Sequence, residues 1–178
     1  IPILNESKNI NKLTYLIKKN LKKKIFEIIF VDDNSSDSSL SILKKIQNKN
    51  IRFIIRKKEK DLSKSCVDGI KNSKYENIVI MDGDLQHKPS CLKKMIKIYL
   101  KNQPDILVGT RNFSNNNSLG FIRKNLSRTI IFVVNNLLFE KKTNDPMSGF
   151  FIFKKEIYYK NKKFFFGKGF KILADFLI

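Results

Sequence analysis

The chain has 178 residues, 42% of them hydrophobic and 11% aromatic, which suits one domain or two small ones and excludes a disordered chain or a disulfide-stapled miniprotein. Two cysteines, one histidine and the lack of GxGxxG or GxxxxGKS/T segments exclude a histidine-rich zinc site and the common glycine-rich phosphate cradles. The formal net charge of +20 indicates an anionic partner.

In the first part of the chain, short β-branched runs alternate with segments of helical periodicity. The runs predict strands at Ile1 to Ile3, Ile28 to Val31, Ile51 to Ile55, Ile78 to Met81 and Ile106 to Val108. The segments between them predict helices whose core-facing residues include Leu13, Ile17, Leu40, Leu43, Leu92 and Met95. Continuous apolar strands separated by helices are typical of a sheet covered on both faces. We therefore expect an α/β fold with a mainly parallel central sheet flanked by helices.

The pattern changes after the polar segment Asn112 to Ser118. A long helix is predicted at Leu119 to Phe139, a strand at Phe150 to Phe153, and an aromatic cluster beside lysines at Phe164 to Phe166. The best apolar stretch, Thr129 to Phe139, has 11 residues, whereas a membrane span needs about 20. We therefore expect no transmembrane segment within residues 1–178. Apolar runs at both ends of the sequence indicate a fragment truncated at both ends.

The basic excess consists mostly of lysine, since only five of the 36 basic residues are arginine. Proteins that read nucleic acids favour arginine for bidentate contacts to phosphates and base edges. The charge is therefore a weak indication of nucleic-acid binding, and we expect no nucleic-acid partner. We interpret the excess mainly as a solvated surface, with an anionic membrane or ligand as the alternative.

Four of the ten aspartates form two groups directly after predicted strands. Asp32 and Asp33 follow the second strand, and Asp82 and Asp84 follow the fourth, at the strand ends where open α/β sheets bind ligands. One aspartate there is usually a turn former or a helix cap, but two groups in so basic a chain indicate a binding edge. Neighbouring carboxylates repel unless a cation lies between them. Asp82 and Asp84, with Gln86 as a neutral oxygen ligand, therefore favour Mg²⁺ or Mn²⁺ held beside substrate phosphates.

Three further residues carry imidazole or thiol groups that could ligate or react: His87, Cys66 and Cys91. His87 fits a turn residue before Pro89 and a ligand-facing side chain equally well. Cys66 and Cys91 are interpreted as packed thiols and not as nucleophiles, because isolated cysteines are among the most buried residue types.

Five segments occur in the order and spacing of a known family: IPILNE, VDDNSSD, MDGDLQH, VGTR and DPMSGF. With them the chain resembles the family 2 glycosyltransferases over nearly its whole length, and especially the polyprenyl-phosphate sugar transferases, which include the dolichol-phosphate mannosyltransferases. The resemblance implies one GT-A (Rossmann-like) catalytic domain over residues 1–178. Residues 1–111 would form the donor and metal part, and residues 112–178 the acceptor part.

The resemblance also implies roles for individual residues. The residues expected to hold the donor are Pro2, Glu6, Val31, Asp33, Asp82, Gly83, Asp84 and Arg111. The implied metal ligands are Asp82, Asp84 and Gln86, and the residues expected at the acceptor phosphate are Arg123, Arg128 and Ser148. The implied catalytic residues are Asp84, Arg111 and Asp145, and Asp145 is expected either to orient the acceptor or to act as a base.

The implied reaction is the metal-dependent transfer of a sugar from a nucleotide-sugar to polyprenyl or dolichyl phosphate, with inversion at the anomeric carbon. Mannose from GDP-mannose is the first expectation and UDP-glucose the second donor. A lipid acceptor implies a peripheral position on the cytoplasmic face of a membrane, with Arg123, Lys124 and Arg128 near anionic lipid.

Three alternatives stay open. One is a family 2 transferase with a non-lipid acceptor. A second is a sugar nucleotidyltransferase, which usually starts with a glycine-rich basic loop that IPILNE does not supply. The third, outside enzymes, is a basic nucleic-acid-binding domain, which would leave the two aspartate groups unexplained.

Overall fold

The computed structural model describes residues 1–22, 24–110, 143, 145–169 and 172–177. Its elements are β1 (Pro2–Ile3), α1 (Ser7–Asn20), β2 (Ile28–Asp32), α2 (Ser39–Ile46), β3 (Ile51–Ile55), α3 (Leu62–Asn72), β4 (Asn77–Met81), α4 (Cys91–Asn102), β5 (Ile106–Val108), β6 (Phe150–Lys154), α5 (Lys155–Asn161) and α6 (Ile172–Leu177). The helix expected at Leu119 to Phe139 lies outside the described residues, as do Arg111, Arg123, Lys124 and Arg128.

The first sheet contains β1, β2 and β3 in that order, and all three strands run parallel. Val31 of β2 lies opposite Pro2 of β1, and Asp32 lies opposite both Ile3 and Ile55 of β3. All five β2 residues are buried, because α2 and α3 pack against this strand. The carboxyl ends of the three strands therefore meet at one edge.

The second sheet has the order β4, β6, β5, and the central β6 is antiparallel to both neighbours. The predicted parallel arrangement is confirmed for β1 to β3, and β4 and β5 also share one direction because each opposes β6. Phe150 at the start of β6 lies opposite Met81 at the end of β4. The residues just before β6 consequently lie beside the residues just after β4.

Within the ranges that the structure describes, the core consists of two hydrophobic clusters. One joins α1, β2 and α4 through side chains such as Leu13, Phe30 and Tyr99. The other joins β6 and α6 through residues such as Phe153 and Leu173. The helices that supply these residues are short, and in the part of the chain that the structure covers none has the length and apolarity to cross a membrane.

The two cysteines are free thiols in different surroundings. Cys66 in α3 is buried, and burial raises the pKa of its thiol to about 12. Cys91, in contrast, is exposed, so its interpretation as a packed thiol is wrong. It is the first residue of α4, and the buried face of this helix begins one residue later, at Leu92, so Cys91 stands at the end of the helix outside the packed face.

A cavity of about 500 Å³ lies between the first and second sheets, beside β2 and β4. Its lining is mainly apolar and includes Ile29, Ile70 and Ile80. The aspartates that follow β2 and β4 do not line it, so this cavity is separate from the predicted binding edge.

Candidate active site

The loops after β1 and β2 are joined by hydrogen bonds. Asn5 has a φ of 58°, a conformation that Asn tolerates, and its side-chain oxygen accepts from the backbone N–H of Ser36 at 2.8 Å. The carboxylate of Asp37 accepts from the loop as well: desolvation alone would raise its pKa, but hydrogen bonds from Ser39 and Ser7 hold that pKa well below its usual range. The IPILNE and VDDNSSD segments therefore form one connected loop pair.

The residues after β4 pack against both neighbouring elements. The backbone N–H of Asp82 donates to the carbonyl of Gly149 at 3.1 Å, which continues the pairing of β4 with β6 by one residue. Gly83 packs against β1, since a Cβ atom there would lie 2.8 Å from Cγ2 of Ile3 and 3.4 Å from the carbonyl oxygen of Pro2. The MDGDLQH segment thus lies between IPILNE on one side and DPMSGF on the other.

Asp82 and Asp84 are both half-buried and lie in a tight turn after β4. The Asp82 carboxylate lies beside Gly149, at the junction. Asp84 accepts from the N–H of Gln86 at 3.0 Å, and Leu85 between them has a φ of 62°. The side chains of Asp82, Asp84 and Gln86 offer oxygen ligands, which suit a hard divalent cation. Among the residues described, no group of three or more His, Cys, Asp or Glu side chains could hold a metal by itself. Further ligands would have to come from Gln86, water or substrate phosphates.

The DPMSGF segment closes the other side of the junction. Ser148 is buried, and its hydroxyl donates to the carbonyl of Gly109 at 2.6 Å. Gly109, in the VGTR segment, in turn donates its N–H to the carbonyl of Phe150 at 2.8 Å. Asp145 is 1% exposed, and His87 is also buried, with its ring 5.2 Å from that of Phe150. Four of the five sequence segments are therefore in contact, and the described part of VGTR joins them through Gly109.

A buried arginine that sequence reasoning overlooked lies beneath this edge. Arg56 is 5% exposed and forms an ion pair through Nη1 with Oδ1 of Asp33. The same nitrogen donates to Ser65 Oγ at 3.1 Å, and Nε donates to the carboxylate of Asp68 at 3.1 Å. The second oxygen of Asp33 accepts from the N–H of Asp61 at 2.5 Å. Asp33 is thus held by two elements, β3 and the start of α3.

The strand register could have revealed this pair. Asp32 lies opposite Ile55 in the parallel β2–β3 pairing, so Asp33 and Arg56 each come one residue later on adjacent strands. Asp32 itself is 1% exposed and accepts from the hydroxyl and the N–H of Ser35. Asp32 therefore has the turn-forming role that a single aspartate at a strand end usually has.

Most of the predicted site residues in the described ranges gather at this edge: Pro2, Glu6, Asp33, Asp82, Gly83, Asp84, Gln86, Asp145 and Ser148. Val31 lies within β2 with a buried side chain, one residue before the aspartates. The predicted roles of Arg111, Arg123 and Arg128 stay predictions, because these residues lie outside the part of the chain that the structure describes.

Comparison of the chain with known proteins identifies its family. Residues 1–161 match the domain described as Glycosyl transferase family 2. The dolichol-phosphate mannosyltransferase of Pyrococcus furiosus is 35% identical over 182 residues, which cover 100% of this chain and 51% of that protein. The enzyme of the same name from Mycosarcoma maydis is 32% identical and covers 85% of this chain and 52% of its own length. The dolichol-phosphate mannosyltransferase of Saccharomyces cerevisiae is 31% identical, and the match covers 99% of this chain and 68% of that protein.

Solved structures agree on the fold. Mycobacterium tuberculosis glucosyl-3-phosphoglycerate synthase with phosphoglyceric acid has a TM-score of 0.75 at 14% identity, covering 99% of this chain and 61% of that one. Staphylococcus aureus TarS 1–349 has a TM-score of 0.65 at 21% identity, covering 98% and 51%. At such identities the likeness shows the GT-A-like fold alone. The chain spans about half the length of the first two mannosyltransferase relatives. On the match over residues 1–161 and these sequence identities, the chain belongs to glycosyl transferase family 2.

Proposed function

We propose that the chain carries the catalytic domain of an inverting glycosyltransferase that moves mannose from GDP-mannose to a polyprenyl phosphate. The observation that carries the proposal is the packing of the Asp82–Asp84 turn between β1 and Gly149, in a chain 31–35% identical to dolichol-phosphate mannosyltransferases. This junction brings the segments expected to hold the donor and the acceptor to one edge of the fold.

The donor side is formed by the first three segments. Among the described residues, each carboxylate oxygen of Asp33 has one of the contacts given above, which leaves each a second lone pair that could accept from a nucleoside. Asp82 and Asp84, with Gln86, would hold Mg²⁺ or Mn²⁺, which neutralises charge on the donor diphosphate as the leaving group departs. A structure of the tuberculosis synthase contains Mn²⁺ with UDP-glucose, which supports a divalent cation in this fold.

The acceptor side needs little base catalysis. A phosphate monoester has a second pKa near 6, so its attacking oxygen is largely deprotonated at neutral pH. The main barrier is the approach of one anion to another, and a basic side chain such as Arg111 would lower it. Asp145 either orients the acceptor or acts as a base. In-line attack on the anomeric carbon gives inversion.

A polyprenyl acceptor requires a membrane surface. We propose a peripheral position on the cytoplasmic face, where Arg123, Lys124 and Arg128 would contribute to binding anionic headgroups. The basic charge of the chain is consistent with this position, since each exposed lysine or arginine near an anionic leaflet adds about 1 kcal/mol.

The proposal is tested by supplying the purified protein with labelled GDP-mannose or UDP-glucose, polyprenyl phosphate and Mg²⁺ or Mn²⁺. We expect label from GDP-mannose to enter an organic-extractable product only when metal and lipid are both present. Transfer from UDP-glucose would instead establish the second donor, which the complexes of similar structures with UDP and UDP-glucose favour. Transfer to a water-soluble acceptor alone would refute the lipid specificity. Tight, steeply salt-dependent DNA binding without any transfer would support the nucleic-acid alternative.

Gly149 provides a specific test of the Asp82 geometry. A Cβ atom on residue 149 would collide with the Asp82 carboxylate, so Gly149→Ala should turn that carboxylate away. We expect transfer to fall on the order of a hundredfold, because displacements of about 1 Å at a reacting centre have effects of that size. The assay above measures the change.

Gly69→Ala is the matched control for this substitution. Its Cβ would meet only a methyl group of Val31 at 3.3 Å, within a helix that favours Ala over Gly. We expect the control to keep its activity. If both variants transferred mannose at the parent rate, the proposed position of Asp82 in the site would be incorrect.

A further inference from the structure

Two phenylalanines after α5 are exposed to solvent to an unusual degree. Phe164 is 64% exposed and Phe166 is 77% exposed, and Tyr159 nearby in sequence is exposed as well. Single exposed apolar residues are common on soluble proteins, but here three large exposed aromatic side chains occur within eight residues of sequence.

The loop that carries them is built into the fold. Phe165 between the two exposed rings is turned inward, with its ring 4.6 Å from that of Phe176 and 5.5 Å from that of Tyr158. Because Phe165 faces the core, its neighbours Phe164 and Phe166 face solvent. The loop is further held where the N–H of Gly167 donates to the Asp175 carboxylate at 2.9 Å. The two exposed rings are thus presented by an anchored loop.

The same segment is strongly basic. Residues 154–168 contain six lysines and a single acidic residue, Glu156. Lys163 Nζ lies 4.8 Å from the centre of the Phe164 ring, and Lys162 Nζ lies 5.5 Å from that of Tyr159. Exposed aromatic rings beside ammonium groups match the two layers of an anionic membrane surface, which are the acyl boundary and the headgroups.

This segment is connected to the candidate site. The N–H of Gly169 donates to the Asp61 carboxylate at 2.9 Å, and its carbonyl accepts from the N–H of Ser63 at 2.9 Å. The backbone N–H of Asp61 is the group that donates to Asp33. Asp61 therefore connects the segment of residues 159–169 with the donor edge.

We propose that the segment of Tyr159, Lys162, Lys163, Phe164, Phe166 and Lys168 is a membrane-docking surface for bilayers with anionic headgroups. Phe164 and Phe166 enter the acyl boundary, and the lysines contact the headgroup phosphates. Docking through this surface holds the linked donor edge close to the lipid. The surface is additional to the basic residues at 123–128 and would form a second contact with the membrane. This inference rests on the proposed function, which already requires a membrane surface.

The test is binding of the purified protein to vesicles of phosphatidylcholine, with and without phosphatidylglycerol, in the absence of donor and acceptor. We expect Phe164→Ser/Phe166→Ser to lower the partition coefficient for the anionic vesicles at least about tenfold, because two large apolar side chains no longer enter the bilayer. Lys162→Ser/Lys163→Ser should lower it about fivefold per lysine at low salt and much less at high salt. Circular dichroism confirms that each variant is folded.

Tyr15→Ser is the matched control, because Tyr15 is 62% exposed and Lys19 Nζ lies 6.0 Å from its ring. Its partition coefficient should equal that of the parent. The proposal is overturned if the Phe variant binds vesicles like the parent. It is overturned as well if Tyr15→Ser lowers the partition coefficient as much as the Phe variant does. It is also overturned if the Phe variant changes self-association in sedimentation without lipid and leaves vesicle binding unaltered. Since no transfer is measured, failure here and failure of the proposed reaction are separate results.

Discussion

Asp84→Asn is expected to reduce sugar transfer about a thousandfold, roughly 4 kcal/mol of transition-state stabilisation. Asn keeps an oxygen that can accept the hydrogen bond now donated by Gln86 at 3.0 Å, so the turn after β4 should persist. The negative charge that would hold a divalent cation against the donor diphosphate is lost. The initial rate of mannose transfer and Mn²⁺ binding in the presence of nucleotide should decrease together.

Asp105→Asn is the control for the loss of one negative charge. Asp105 is exposed and directly precedes β5, at the edge opposite the one where β4 ends, since β4 and β5 share one direction. Its replacement should leave transfer unchanged. If Asp84→Asn retained full metal-dependent activity, the assignment of Asp84 as a metal ligand would have to be abandoned.

Arg56→Met is expected to lower the free energy of unfolding by about 3–5 kcal/mol, the usual cost of breaking a buried ion pair from one side. Met resembles the arginine stem in length but leaves Asp33 without its guanidinium partner in a site where both residues are 5% exposed. The substitution also removes the donors to Asp68 and Ser65, which connect β3 to α3. Denaturation by urea, followed by circular dichroism, measures the change.

Arg52→Met is the control that distinguishes the effect of burial from the effect of losing an arginine side chain. Arg52 pairs with Glu27 at 2.8 Å, and the side chain of Arg52 is 32% exposed while that of Glu27 is 8% exposed. The Glu27 carboxylate also accepts from the N–H of Lys74, so it keeps a donor and the cost should be about 2 kcal/mol or less, smaller than for Arg56. Equal destabilisation by the two substitutions would show that the Asp33–Arg56 pair has no special contribution to stability.

The periodicity of apolar residues and the local sequence pattern were sufficient to predict most of the strands and helices. The strand at Ile51–Ile55 was predicted with its observed bounds, because three isoleucines within five residues, between polar segments, favour an extended strand. The placement of Asp82 and Asp84 at a strand end followed from the same pattern, since each lies within three residues of β4. The family could also be named from sequence, because five short segments in a fixed order are an unlikely coincidence.

Contacts between residues that are distant in the chain became known only from the tertiary structure. The antiparallel direction of β6 and the collision that a side chain on Gly149 would cause with Asp82 depend on which strands become neighbours. The burial of Arg56 and its pairing with Asp33 also depend on the fold, since in the sequence Arg56 is one basic residue among 36. Phe164 to Phe166 were identified as one aromatic cluster, but only packing against Tyr158 and Phe176 turned the middle ring inward. Local preferences act over a few residues, whereas burial and pairing are settled by surfaces that meet only after the chain has folded.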